Sequence, residues 1–341
     1  MDDEHVHGEH ETADGRLSPA PSLYSFHPSV DERFIIRQLH GRLLNSQNET
    51  YMLPADQEEH ERLDIQHEMY KHALGGLFPA RELVERALQP RADGSRPAIC
   101  DIGTGSGSWA LDMANEYPHC DVTGVDLVLP KTQREMPPNC RFEIDDANLG
   151  FPHFENSFNL VHIRAVSAGI RDWEGLLDEM VRALRPGGVL VLADGDLRLY
   201  DEHYHQMPAL EPGQPGFSWT QRIFFTAWNA MKARGGNLDV CDLNPQYLDA
   251  ISGLTDRGWT KVWIPIGPWP KGLTPEQKML SELLLKNTTR HIMGMTPLLV
   301  DFGYTPDLLA QIQQLAVAEL REGRARLYTR WHFAWAVKGV V

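Results

Sequence analysis

The stretch that most constrains this 341-residue chain is Asp101-Ile102-Gly103-Thr104-Gly105-Ser106-Gly107, set between an apolar run and a run of helical period. The apolar run, 97–102, reads as a strand buried on both faces. The run that follows, 108–117, puts Trp109, Ala110, Met113, Ala114 and Tyr117 on one helical face. Glycines at alternate positions allow a reversal too tight for side chains and let a ligand approach the backbone. The next helix then offers unpaired N–H groups and the positive end of its dipole. Strand, glycine turn and helix in that order begin a parallel α/β sheet.

The alternation continues. Further strands are expected over 121–126, 140–144, 158–163 and 189–193, with a helix over 173–184 that stops at Arg185-Pro186-Gly187-Gly188. Beyond them the pattern predicts a helix near 245–256, an extended 259–266, a helical stretch over about 274–323 and a last extended segment over 329–338. Ahead of the sheet, about 30–88 reads as helical, with Leu63, His67, Tyr70 and Leu74 at three- and four-residue steps. The fold expected is α/β, a Rossmann-like doubly wound sheet. An N-terminal helical lid is placed over 29–92 and a cofactor-binding core over 93–197. The remainder of the core, 198–341, carries substrate-cap insertions at about 198–243 and 270–326. Residues 1–28 read as a disordered acidic tail, and His5, His7 and His10 within it as compositional rather than metal-binding.

Charge and composition exclude some partners. A net charge of -15 argues against nucleic acid, whose phosphates need a basic face. Cys100, Cys120, Cys140 and Cys241 contain no CxxC pair, which fits a reducing compartment better than a disulfide framework. No signal-like N-terminus and no membrane-length apolar run is present, so a cytoplasmic or nuclear protein is expected.

The glycine spacing separates two cofactors. A dinucleotide fingerprint, GxGxxG, would need glycine where Ser108 stands, so a nicotinamide enzyme is disfavoured. The run is GxGxG, which resembles motif I of the class I methyltransferases. Asp126, about 20 residues on at the end of the next strand, is suited to accept ribose hydroxyls. Asp145-Asp146-Ala147-Asn148 follows the third strand.

The chain resembles the fungal LaeA-like methyltransferases. The likeness rests on Tyr51-Met52-Leu53-Pro54-Ala55-Asp56, Glu61-Arg62-Leu63-Asp64-Ile65-Gln66-His67, 101–110, Leu160-Val161-His162-Ile163-Arg164, Trp173 and Leu184-Arg185-Pro186-Gly187-Gly188. It implies S-adenosylmethionine as cofactor and a seven-stranded sheet whose last two strands form an antiparallel pair. It implies a cofactor site of Asp101, Gly103, Thr104, Gly105, Gly107, Asp126, Leu127 and Ile163, with Asp145, Asp146 and Ala147 at the adenine. Tyr51, Gln66 and His67 are implied to lie on helices closing over the methionine end. His162, Arg164 and His67 are the candidates for catalysis, with His203 and His205 behind them; no metal is expected. Tyr200, Trp219, Phe224, Phe225 and Trp228 are an aromatic supply for an acceptor pocket or simply core. Two functions stay open: methyl transfer to oxygen or nitrogen of a small fungal metabolite, or a regulator that binds the cofactor and works through a protein partner or as a homodimer. A Gly105→Val variant is expected to lose S-adenosylmethionine binding because the side chain fills the turn; calorimetry showing wild-type affinity would refute the loop assignment.

Overall fold

The computed structural model describes residues 34–340; the acidic tail and its three histidines lie outside them. The described chain opens with a hairpin, β1 (Ile36–Leu39) and β2 (Arg42–Asn45), where the sequence pattern had predicted helix. Its two-residue turn, His40-Gly41, has both φ values positive, at 48° and 79°. That is the twist a tight antiparallel hairpin requires. Asp56 then joins hairpin to helix. Its carboxylate receives both Arg42 Nε and Nη2, at 2.7 and 2.8 Å, and caps α1 (Gln57–Leu74) by accepting from Glu59 N.

After α2 (Arg81–Ala87) the alternating core begins: β3 (Ala98–Ile102), α3 (Ser108–Glu116), β4 (Asp121–Asp126), β5 (Cys140–Ile144), β6 (Phe158–Arg164), α4 (Trp173–Ala183) and β7 (Leu184–Gly195). The helices α5 (Trp219–Ala233) and α6 (Val240–Ala250) lead to β8 (Leu254–Pro265). Then α7 (Pro275–Gly294), α8 (Thr296–Asp301) and α9 (Pro306–Arg321) precede β9 (Tyr328–Lys338). Insertion 198–243 thus holds one full helix and the start of another. The helical stretch expected over 274–323 is three helices, the second and third each opening with a proline in the first turn. The helix expected near 245–256 starts and ends earlier, with Gly253 at φ 79° turning the chain into β8.

The seven strands are ordered β5-β4-β3-β6-β7-β9-β8. The first five are parallel, while β9 runs antiparallel to both β7 and β8, as the family resemblance implies. Alternation within the strands covers both faces. Ile99, Leu160, Val189 and Val191 pack with Trp109 and Met113 of α3 and Val84 of α2. Cys100, Val161, Ile163 and Leu190 turn to the other face, against Leu177 and Met180 of α4 and Leu248 of α6. A third apolar cluster lies above the carboxyl edge of the sheet, where Phe224, Leu284, Ile292, Leu309 and Trp331 join α5, α7 and α9 to the end of the sheet. Among the described residues no helix is long and apolar enough to cross a membrane.

Strand order reverses between β3 and β6, and this is where an open parallel sheet leaves a crevice. One buried carboxylate braces it. Asp101 of β3 stands beside His162 of β6 in the ladder, accepts from its Nδ1 at 2.7 Å, and takes the Thr104 hydroxyl on its other oxygen at 2.7 Å. The imidazole stacks on Trp109, ring centres 3.8 Å apart. Asp101→Ala would orphan two buried polar groups and is expected to cost about 3 kcal/mol, whereas Asp101→Asn, which keeps an acceptor for His162, should cost under about 1 kcal/mol. Denaturant unfolding of the two variants checks this, and equal losses would contradict the brace.

Candidate active site

One cavity runs along the carboxyl ends of β3, β4, β5, β6 and β7 and under the cap helices. At its floor the glycine turn is set by geometry rather than by propensity. Gly103 has φ 71°, and a Cβ there would stand 2.1 Å from Val166 Cγ1; at Gly105, φ 57°, it would stand 2.8 Å from Leu63 Cδ1. The backbone is therefore pressed between α1 and the segment after β6, with no room for side chains. Gly103 N and Thr104 N both donate to Val125 O, and Gly105 N donates to Asp126 Oδ2 at 2.7 Å. Burial raises the Asp126 carboxyl to about 6, against the pull of N–H groups of Gly105, Leu127 and Val128.

Beyond β5, Asp145, Asp146 and Ala147 line one end of the cavity with Phe151 and Ile170. Asp146 Oδ1 is already engaged, accepting from Asn148 N, Asn148 Nδ2 and Asn48 Nδ2. Asp145 accepts from Asp146 N at 2.8 Å, and burial raises its carboxyl above the ordinary value. Asn48 was not foreseen from the sequence. It bridges the N-terminal segment to Asp146 and to Gly169 O, and its own oxygen accepts from Thr50 N and Tyr51 N.

That bridge explains Tyr51. It lies in the extended segment between hairpin and α1, not on a helix, and reaches the cavity by packing on Gly169. Gln66 and Arg62 enter from α1; Arg62 is held by Glu59 Oε1 at 2.7 Å and donates to Asn287 Oδ1 of α7. The lid is thus partly a strapped loop, and only its second half is helical.

The expected site residues divide. Tyr51, Gln66, Gly103, Thr104, Gly105, Asp126, Leu127, Asp145, Asp146, Ala147 and Arg164 line the cavity. Asp101, Gly107 and Ile163 do not: Asp101 is the brace below the turn, Gly107 caps α3 and Ile163 belongs to the core. The two histidines expected as candidates for catalysis also stand off the cavity. His162 is 2% exposed and committed to Asp101 and Trp109, and burial lowers its pKa. His67 is 1% exposed; Arg164 Nη1 donates to its Nδ1 at 3.2 Å, which leaves the proton on Nε2, facing Asp112 at 3.0 Å. Burial lowers its pKa too, so it is a neutral relay between Arg164 and Asp112. Although His67, Glu68 and Asp112 lie close enough to resemble a metal triad, the Lys71 ammonium already sits 3.1 Å from Glu68 and 2.9 Å from Asp112. His203 and His205 are exposed and lie outside the cavity.

The far end of the cavity was the least legible. Asp194 and Asp196 at the end of β7, Phe224 of α5, Leu284 and His291 of α7, and Trp331 of β9 enclose it. Of the five aromatics proposed for an acceptor pocket, Phe224 alone lines it. Tyr200 is bonded to Asp196, Trp219 packs edge-on to Phe217, Phe225 is exposed and Trp228 lies outside. The available signal was positional: Asp194-Gly195-Asp196 follows the fifth strand just as Asp126 ends the second.

With a cradle that a Cβ would fill, a buried carboxylate beside it and a polar pocket past the third parallel strand, the residues fit an adenosyl sulfonium cofactor. The family model and the sequence relatives agree. A methyltransferase domain family model matches residues 68–232. A Coprinopsis cinerea protein named secondary metabolism regulator laeA is 31% identical over 296 residues, covering 86% of this chain and 72% of that one. A methyltransferase of Aspergillus terreus, pytC, is 29% identical over 80% of this chain and 78% of its own. Among solved structures, a Haemonchus contortus phosphoethanolamine N-methyltransferase aligns with TM-score 0.44 and 18% identity, over 82% of this chain and 58% of that chain. The protein belongs to the LaeA-like family of class I methyltransferases, enzymes that use S-adenosylmethionine.

Asp126 gives a pH signature. Hydroxyl donors favour its charged form, so protonation competes with the ribose. Affinity for S-adenosylhomocysteine is expected to be flat just above pH 6 and to fall below it by up to about tenfold per pH unit. Asp126→Ala should weaken binding and abolish that slope with the fold intact; an unchanged dissociation constant would remove Asp126 from the site.

Proposed function

We propose that the protein transfers the methyl of S-adenosylmethionine to oxygen or nitrogen of a small secondary metabolite. The observation that carries this reading is the apolar lining of the cavity's far end. Leu197, Phe224, Met231, Leu238, Leu284 and Trp331 line it, contributed by the segment after β7, the cap helices, the connection between α5 and α6, and β9. An apolar chamber roofed by the chain's own helices suits a planar or apolar molecule, whereas a protein substrate needs an open groove. Two relatives, the Aspergillus terreus protein and one from Strobilurus tenacellus, bear the name methyltransferase.

When bound, the cofactor supplies an electrophilic methyl on a sulfonium whose departing thioether is neutral. The chain's own work is then alignment and exclusion of water. The glycine turn and Asp126 fix the nucleoside, Tyr51 and Gln66 close from the lid, and Arg164 stands between the two ends of the cavity. Burial lowers the Arg164 pKa, yet from so high a start it stays a cation; its guanidinium lies over the Tyr70 ring, 4.8 Å from the centroid. Arg164 donates to neutral His67 and, among the described residues, to no carboxylate, so it is suited to an anionic group of a ligand.

The regulator reading is favoured by the names of relatives: the 31% identical protein and others at 26–28% identity are named secondary metabolism regulators. Incubation with cofactor bearing a labelled methyl group, a fungal metabolite extract and, separately, a protein extract distinguishes the two. Label in small molecules is expected; label confined to protein, or transferred to neither, would contradict the metabolite reading.

A further inference from the structure

Asp194 is a buried carboxylate that the site as described leaves unused. It lies one residue past Ala193, which pairs with Arg164 of β6, so it stands at the carboxyl edge of the sheet, next to the switch crevice. It is 6% exposed and lines the cavity. Ser167 and the Gly195 N–H donate to its carboxylate, but Oδ2 has no hydrogen-bond partner. Such a group is costly to bury unless a ligand completes it. On the opposite wall, His291 Nδ1 is also buried without a partner.

The charges around Asp194 leave one place open. Asp196 on its own strand is committed to Arg198 and Arg330. Arg62 of α1 is neutralised by Glu59, and Arg164 of β6 bonds to neutral His67. His291 and His332, driven by burial to about 3 and about 4, are uncharged at neutral pH. Tyr70 of α1 and Cys241 of α6 are pushed well up by burial and stay neutral as well. Among the described residues, then, no cation is hydrogen-bonded to Asp194.

We propose that Asp194 is the counter-charge of the methyl donor, ionised while a sulfonium stands in the cavity and able to hold a proton once a neutral thioether replaces it. The proposal rests on the reading of the cavity as an S-adenosylmethionine site. It gives the acceptor a chemical class, a neutral hydroxyl or amine. Attack by such a nucleophile forms an O–C or N–C bond and breaks the C–S bond, whose electron pair stays on sulfur. The one proton released has a destination at Asp194 Oδ2. A carboxylate acceptor, already deprotonated, would need no such group.

Calorimetry in two buffers of different ionisation enthalpy reads the coupling without an acceptor. Burial holds the Asp194 carboxyl at about 7, so at pH 7 S-adenosylmethionine should release about half a proton more than S-adenosylhomocysteine. Both ligands carry the same ribose, so the contribution of Asp126 cancels. Asp194→Asn should erase the difference and lower affinity for S-adenosylmethionine about tenfold, with affinity for S-adenosylhomocysteine held as the control for folding. Equal proton release from the two ligands, or an unchanged affinity ratio in the variant, would overturn the proposal. If neither ligand binds the wild-type protein, the cofactor reading fails and the proposal with it.

Discussion

Asp101 ties together three things that the site requires: the first strand of the parallel sheet, its neighbour across the switch point, and the glycine turn between strand and helix. His162 Nδ1 holds one of its oxygens and Thr104 the other. With these bonds made, Gly103 and Gly105 are fixed at positive φ and the N–H of Gly105 points at Asp126. Because the arrangement is buried among apolar neighbours, any missing member leaves an unpaired polar group, and that cost locks the geometry. The placement of the Gly105 N–H against Asp126 thus depends on bonds made below the floor of the cavity.

The sheet was readable because its strands obey a simple rule. Runs such as Ala98–Ile102 and Phe158–Arg164, buried on both faces, are dominated by apolar residues with a few buried polar ones among them, and glycine or charge marks their ends. The hairpin at 36–45 was missed because Ile35, Ile36, Leu39, Leu43 and Leu44 fit helical spacing about as well as strand alternation. Only the two positive φ angles at His40-Gly41 decide between them. Tyr51 illustrates a different limit: it reaches the cavity from a loop strapped down by Asn48, and a contact between residue 48 and residue 146 leaves no periodic trace.

The histidines show why residue type alone misleads. His67 and His162 sit near a cofactor motif, yet packing commits each to a carboxylate, and burial keeps both neutral. Arg164 and Asp194, which end adjacent parallel strands, are instead charged-type side chains that line the cavity there. Asp126 and Asp194 are both carboxyls raised by desolvation, one toward each end of the same cavity. Such groups are held in readiness at a cost to the empty protein, and a ligand that hydrogen-bonds or carries positive charge offsets it.

We propose that one cavity holds an adenosyl sulfonium cofactor and an acceptor end to end. A crystal structure with S-adenosylhomocysteine would show whether it does. Ribose hydroxyls are expected on Asp126, adenine against Asp145–Ala147, and the sulfur turned toward the chamber of Asp194, Phe224 and Trp331. Adenine lodged in that chamber, or a ligand bound away from the glycine turn, would contradict it.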